Sequence, residues 1–167
     1  MAIHYADGSN SASGRVVQVI HRTSDSYNSI TSTSYTDFTN YYIDITPKEN
    51  GNKIVLSMTI YMNNRDNDPD TRVAMRVLEE YSSSSSTVYF PNLNEGQDSH
   101  QWISKATNNG STDSDMWQPV TLHFTVALPS SGRAGVSHRY QLQGNTNPGS
   151  DYHRGLGFSC TAMEITV

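Results

Sequence analysis

The chain has one cysteine in 167 residues, Cys160, so no internal disulfide forms and stability has to come from core packing or oligomerisation. A lone thiol of this kind is read as a buried structural residue. No stretch approaches the roughly 18 consecutive apolar residues of a membrane span. The opening MAIHYADGSNSASG has neither the basic start nor the apolar run of a signal peptide, so the expectation is a protein made and kept in a soluble compartment, without membrane insertion. Charged residues are scarce at 16%, against about 25% in ordinary soluble domains. The 11 Lys and Arg form no run and the net charge is -5, which argues against nucleic acid as a partner, because phosphate neutralisation needs clustered cations. Helical periodicity is almost absent, and neither an internal repeat nor a shift in composition divides the chain.

What fills the gap is Ser, Thr, Asn and Gly. Such polarity can mean disorder, but disorder needs few aromatics, and here aromatics reach 10% with ten tyrosines among them. A folded β protein fits better. Lys53 to Asn63 alternates cleanly, with Ile54, Leu56, Met58, Ile60 and Met62 on one face and Ser57, Thr59 and Tyr61 on the other, as a central half-buried strand does. Pro119 to Leu128 repeats the pattern with Val120, Leu122, Phe124 and Val126. Weaker strands are expected at Arg15 to His21, Phe38 to Ile45, Arg72 to Glu80, Thr87 to Phe90, Gln97 to Ile103, Val136 to Gln143 and Leu156 to Val167, with Ser82 to Ser86 as a solvated loop. About eight or nine strands at this spacing predict an all-β, antiparallel β-sandwich of jelly-roll type. The expected division is an extended N-terminal arm, residues 1–14, and a single sandwich domain, residues 15–167. The arm carries an Ile3, His4, Tyr5 cluster within a Gly, Ser and Ala background. It packs either along its own domain or, as the preferred reading, on a neighbouring subunit or another protein.

Catalysis needs converging ionisable groups, and the sequence offers few. His4, His21, His100, His123, His138 and His153 lack metal-ligand spacing and are read as scattered surface residues. There is no nucleophile elbow and no phosphate-cradling loop; the glycines from Gly110 to Gly157 are read as turns or strand ends. No catalytic residue is assigned, and the chain is expected not to be an enzyme. Asp66, Asp68 and Asp70 have the spacing that begins a calcium loop. Thr71 and Val77 stand where its glycine and bidentate Glu belong, so a solvated turn is preferred to calcium, and no other cofactor is expected. Trp102 and Trp117 flank a polar stretch, and Tyr152 precedes His153 and Arg154. These aromatics are either a platform for glycan or strand ends packing over the sandwich rim.

Three stretches together carry a resemblance: GRVVQVIHRTSDSYNSITSTSYTDFTNYYIDITPKENGNKIVLSM from Gly14, the strand from Thr121 to Leu128, and the closing TAMEITV from Thr161. Their order and spacing resemble the small virion structural proteins of tailed phages, especially marine and cyanobacterial ones. In those a GxVxQV opening strand leads to a Ser/Thr-rich hairpin, a SITPxxxxxKIL segment and a terminal MEI strand. The resemblance covers the first third of the chain and its last strand; residues 63–118 match nothing in it. It implies a non-enzymatic particle component, synthesised in the host cytoplasm and resident in the virion. A compact domain beginning soon after Met1 favours a capsid decoration or cement protein over a tail fibre or fibre tip. By analogy it is a homotrimer, with the major capsid protein or tail and fibre proteins as partners and host-surface glycan as a further one.

Overall fold

The computed structural model describes residues 14–64, 72–82, 84–89, 102–105, 116–147 and 153–167. Every regular element in them is a strand: β1 (Val16–Ile30), β2 (Thr36–Ile45), β3 (Lys53–Asn64), β4 (Arg72–Tyr81), β5 (Ser84–Tyr89), β6 (Trp102–Lys105), β7 (Met116–Ala127), β8 (His138–Asn147) and β9 (His153–Ile165). They form two antiparallel sheets. The first has four strands in the order β1-β9-β3-β7; the second has five, in the order β2-β8-β4-β5 with β6 also paired to β4.

The expected alternation builds the core. Ile54, Leu56, Met58, Ile60 and Met62 all point inward from β3, which lies between β9 and β7, and Leu122, Phe158 and Cys160 join them. The second sheet answers with Phe38, Tyr41, Ile43, Met75, Val77, Tyr140 and Leu142, so one apolar layer is shared by both sheets and the molecule is a β-sandwich. Phe38, Tyr41 and Phe158 stack in series across it, at centroid separations of 5.5 and 5.0 Å. Cys160 is buried and free, and burial pushes its thiol pKa up to about 12.

Several strands depart from their expected extents for physical reasons. β1 runs to Ile30 rather than stopping near His21, because an edge strand needs one backbone partner and β9 supplies it along the whole length. Ser84, Ser85 and Ser86 are strand, not loop: they pair with Tyr81, Glu80 and Glu79 at an edge where only main-chain bonds are required. β5 and β6 lie along the same edge of β4, one beside Val77–Tyr81 and the other beside Arg72–Ala74, so they form one edge interrupted by residues 90–101. Pro119 is tolerated inside β7 because that strand is an edge. Gly144 and Gly155 sit within strands rather than at turns. A side chain at Gly144 would collide with Ile30 and Phe38, and one at Gly155 would press on Ile60, Tyr41 and Phe38 at 3.1 to 3.3 Å.

The two ends of the sandwich differ. At one end, chain entry at Gly14 and exit at Thr166 are tied together by Gly14 N to Thr166 O (2.8 Å) and Thr166 N to Arg15 O (3.0 Å). The crossover between β2 and β3 lies there too, and Glu164 fastens it. The buried Glu164 carboxylate accepts from Lys48 N, Glu49 N, Asn52 Nδ2 and Gln18 Nε2, at 2.6 to 3.2 Å. Asn50 Oδ1 in turn accepts from Arg133 N and Ala134 N, both at 2.8 Å, locking the β7–β8 loop onto the crossover. The strand termini Asn64, Arg72, Lys105, Met116, Asn147 and His153 lie at the opposite end.

Candidate functional site

The outer faces of the two sheets have opposite chemistry. On the five-stranded sheet charged side chains bond to one another, to neutral amides and to aromatic rings, with Arg22 of β1 reaching across to join them. Arg139 donates to both oxygens of Asp44 at 2.9 and 3.2 Å, and Arg139 and Arg22 both stack on the Tyr42 ring at 3.9 and 3.6 Å from its centre. Arg76 donates to Gln143 at 2.6 Å, and Gln143 donates to Asp37 at 2.7 Å. That is a face dressed with charged and amide side chains bonded to one another.

On the four-stranded sheet the pairing register sets out, before a last row Ser29–Arg154–Asn63–Trp117, five rows: Val16–Ile165–Lys53–Ala127, Val19–Met163–Val55–Thr125, His21–Thr161–Ser57–His123, Thr23–Ser159–Thr59–Thr121 and Tyr27–Leu156–Tyr61–Pro119. Lys53 is the one Lys, Arg, Asp or Glu in these five. The rows grade from aliphatic, beside the chain entry, through a belt of hydroxyls and two imidazoles, to aromatic. Cross-strand hydrogen bonds knit the belt: His21 Nδ1 with Thr161 Oγ1 at 3.0 Å and Thr59 Oγ1 with Thr121 Oγ1 at 2.9 Å. Val16, Val19, Tyr27, Tyr61 and Leu156 are each close to half exposed, which is unusual for so many apolar side chains on one sheet face.

At the aromatic end the sheet is broken by coincident bulges. Between Phe158 and Leu156, Gly157 is the extra residue relative to β3, while β1 inserts Asp25 and Ser26 between Ser24 and Tyr27. Gly157 takes φ +77°, the left-handed conformation that glycine adopts without strain. The displaced backbone opens a cleft of about 410 Å³, with Tyr61 as one wall, Gly157 in the lining, Asp25 across from it, and Thr23, Ser24 and Ser159 supplying hydroxyls. The bulge in β1 is held from behind. Tyr41 OH donates to Ser26 O at 2.6 Å, Asn40 Nδ2 donates to Ser26 Oγ at 3.0 Å, and Ser26 N donates to Ser24 Oγ at 3.2 Å. Burial raises the Tyr41 phenol pKa, partly offset by its hydrogen bonds with Asn28 and the Gly157 backbone, so this one hydroxyl braces both bulges.

The sequence-predicted site residues are distributed otherwise. Ile3, His4 and Tyr5, the Asp66, Asp68 and Asp70 set, and Tyr152 lie outside the described residues. Trp102 is in β6 opposite Ala74, and Trp117 is in β7 opposite Asn63, two residues along from the Tyr61–Pro119 pair. They belong to different sheets, so strand pairing does not join them into one platform. His21 and His123 are exposed as expected, but His138 is fully buried, a correction to the reading of all six histidines as surface residues. It is buried because it has a charged partner: His138 Nδ1 donates to Glu79 Oε1 at 2.9 Å, and Tyr140 OH donates to the same oxygen at 3.0 Å. The cleft was missed because its residues are neighbours only through strand pairing; the adjacent Asp25 and Tyr27 beside Gly157 carry no motif.

No family model and no curated protein matches the chain. Among solved structures, the fold is similar to part of dimeric latent PorU from Porphyromonas gingivalis, with a TM-score of 0.52 and 11% identity over 99% of this chain and 14% of that one. A second similarity is to VP2 of the infectious bursal disease virus subviral particle, with a TM-score of 0.42 and 14% identity over 90% of this chain and 33% of the other. The chain thus spans well under two thirds of either structure, and the PorU likeness bears on the fold alone.

Proposed function

We propose that the chain is a non-enzymatic structural protein of a virus particle, a homotrimeric capsid decoration or cement protein that packs copy to copy through the aliphatic end of its four-stranded sheet. The observation that carries this reading is the contrast between the two outer faces. Copies with a net charge of -5 repel one another in general. The rows from Val16 to Thr125 hold no carboxylate and present Val16, Val19, Val55, Met163 and Ile165, so a second copy is the occupant that this face admits. The segment 1–14 is assigned to attachment on the particle. Its root at Gly14 lies beside this end, and an extended arm adds main-chain hydrogen bonds on a capsid partner.

The strand order supports a jelly roll. Successive strands change sheets except at β4, β5 and β6, giving β1-β9-β3-β7 opposite β2-β8-β4 with β5 and β6 sharing the last place. That fold is widely used both for capsid shells and for lectins. A second reading, a tail-fibre or fibre-tip protein that takes hold of host-surface glycan, is favoured by the cleft beside Tyr61.

Light scattering on the purified chain tests the first reading. The expected mass is that of three copies, falling to one in Val19→Glu with an unchanged melting curve, since Val19 is exposed and its replacement disturbs no core. A monomeric parent chain, or a trimer undisturbed by Val19→Glu, contradicts it. Deleting residues 2–13 is expected to leave the trimer folded and to abolish its binding to particles.

A further inference from the structure

We infer that the cleft at the Gly157 bulge is a binding site for one neutral pyranose unit of a glycan. The inference rests on the glycan-binding reading above and adds the place and the sugar class.

The lining has the composition that sugar recognition requires. A pyranose ring has one face of C–H groups and a rim of hydroxyls, so its receptor needs an apolar plane and, at an angle to it, paired hydrogen-bonding groups. Tyr61 provides the plane: its ring forms the cleft wall at 51% exposure, with its Cδ2 3.7 Å from where a Gly157 side chain would begin. The absence of that side chain leaves room for a ring to lie against the tyrosine. Tyr27 and Leu156 continue the apolar surface along the same row. Asp25 provides the paired acceptors, since its two carboxylate oxygens can take two adjacent hydroxyl protons at once. The Thr23, Ser24 and Ser159 hydroxyls each donate or accept as the sugar demands. Ser24 Oγ already accepts from Ser26 N, which leaves its own proton to give.

Charge selects within the sugars. The lining holds no Lys, Arg or His, and Asp25 repels an anion, so sialic acids, uronic acids and sugar phosphates are disfavoured relative to neutral hexoses. One carboxylate lines the cleft, whereas hydrolysis of a glycosidic bond ordinarily uses two, so the role is holding rather than cleaving. The cleft is also built in advance of its ligand. Tyr41 OH and Asn40 clamp Ser26 from the second sheet, so little ordering remains to be done on binding. The aliphatic end assigned to assembly lies at the far end of the same strands, apart from the cleft.

Amide chemical shifts of the full chain, followed while methyl glycosides of glucose, galactose and mannose and of N-acetylneuraminic acid are added, test the inference. A neutral glycoside is expected to shift the Gly157, Ser159 and Asp25 amides saturably. Tyr61→Ala is expected to weaken it at least tenfold and Asp25→Asn severalfold, both with unchanged melting curves, while Tyr61→Phe keeps the stacking plane and most of the affinity. Saturable shifts that persist in Tyr61→Ala, a preference for the sialoside, or no shift with any of the glycosides would overturn it. Mass measured on the same samples separates the two readings: a trimer that binds no glycoside refutes the cleft alone, and a monomer that binds one refutes the assembly alone.

Discussion

Replacing Glu164 by alanine destabilises the protein by at least about 4 kcal/mol, measured by urea unfolding of parent and variant, because four separate donors converge on that one carboxylate. Two of them are the backbone N–H groups of Lys48 and Glu49, in the turn that crosses from one sheet to the other. The loss is larger than that of an average hydrogen bond, since Asn52 is itself buried and Gln18 ties β1 to the same crossover through Thr46 O at 2.7 Å. Glu164→Gln recovers only part, because its amide nitrogen meets donors where an acceptor is needed. The carboxylate also gives the protein an acid limb. Burial raises its pKa, but the bonds from Asn52, Lys48, Gln18 and Glu49 outweigh that and leave it below 4.5. A group whose folded pKa is depressed stabilises the fold above the unfolded value and loses that contribution as pH falls through the folded one. Stability therefore declines below about pH 4.5 in the parent chain, and more weakly in Glu164→Gln. The alkaline limb has the opposite sign. The Cys160 thiol is raised from 9.0 to about 12, so stability present below pH 9 is lost progressively above it, and Cys160→Ala flattens that part of the profile.

The strands of this fold were legible where side chains alternate between a core and an outer face, as along Ile54 to Met62 and Val120 to Val126. They were less so at edges, where Ser84 to Ser86 and the far half of β1 are held by backbone pairing that no side-chain pattern records. Glycines were legible as turn formers at Gly132 and Gly135, each with positive φ. Gly144 and Gly155 were not, because what demands their lack of a side chain is the approach of Phe38 from another strand. The cleft was hidden for a related reason: Asp25, Tyr61 and Gly157 are far apart in sequence, and the register that gathers them depends on two bulges. His138 misled because a histidine in a polar stretch reads as surface, and the partner that permits its burial, Glu79, lies 59 residues away.

That pair is the subject of the second large effect. Glu79→Ala is expected to cost about 3 to 5 kcal/mol in urea unfolding, because it removes the only carboxylate among groups that cannot reach water. Glu79 stands on the inward face of β4 among Met75, Val77 and the β8 side chains, almost wholly buried. His138 Nδ1 and Tyr140 OH both donate to its Oε1, and Arg133 brings a guanidinium nitrogen to 3.6 Å while stacking 3.3 Å above the Tyr81 ring. With the carboxylate gone, Arg133 loses its counter-charge, and His138 and Tyr140 are left with unmet donors. His138 already has Nε2 buried without a partner, so it has no alternative bond to turn to. Tyr140→Phe, which deletes one donor and leaves the carboxylate with its other partners, costs only about 1 kcal/mol. The ordering of the two variants measures whether the cluster acts through charge or through packing. If packing alone mattered, Glu79→Ala would resemble an ordinary truncation, and Glu79→Met, which refills the space, would recover most of the loss by itself. Acting through charge, Glu79→Met alone stays close to Glu79→Ala, and stability returns as His138→Leu and Tyr140→Phe are added and remove the stranded buried donors.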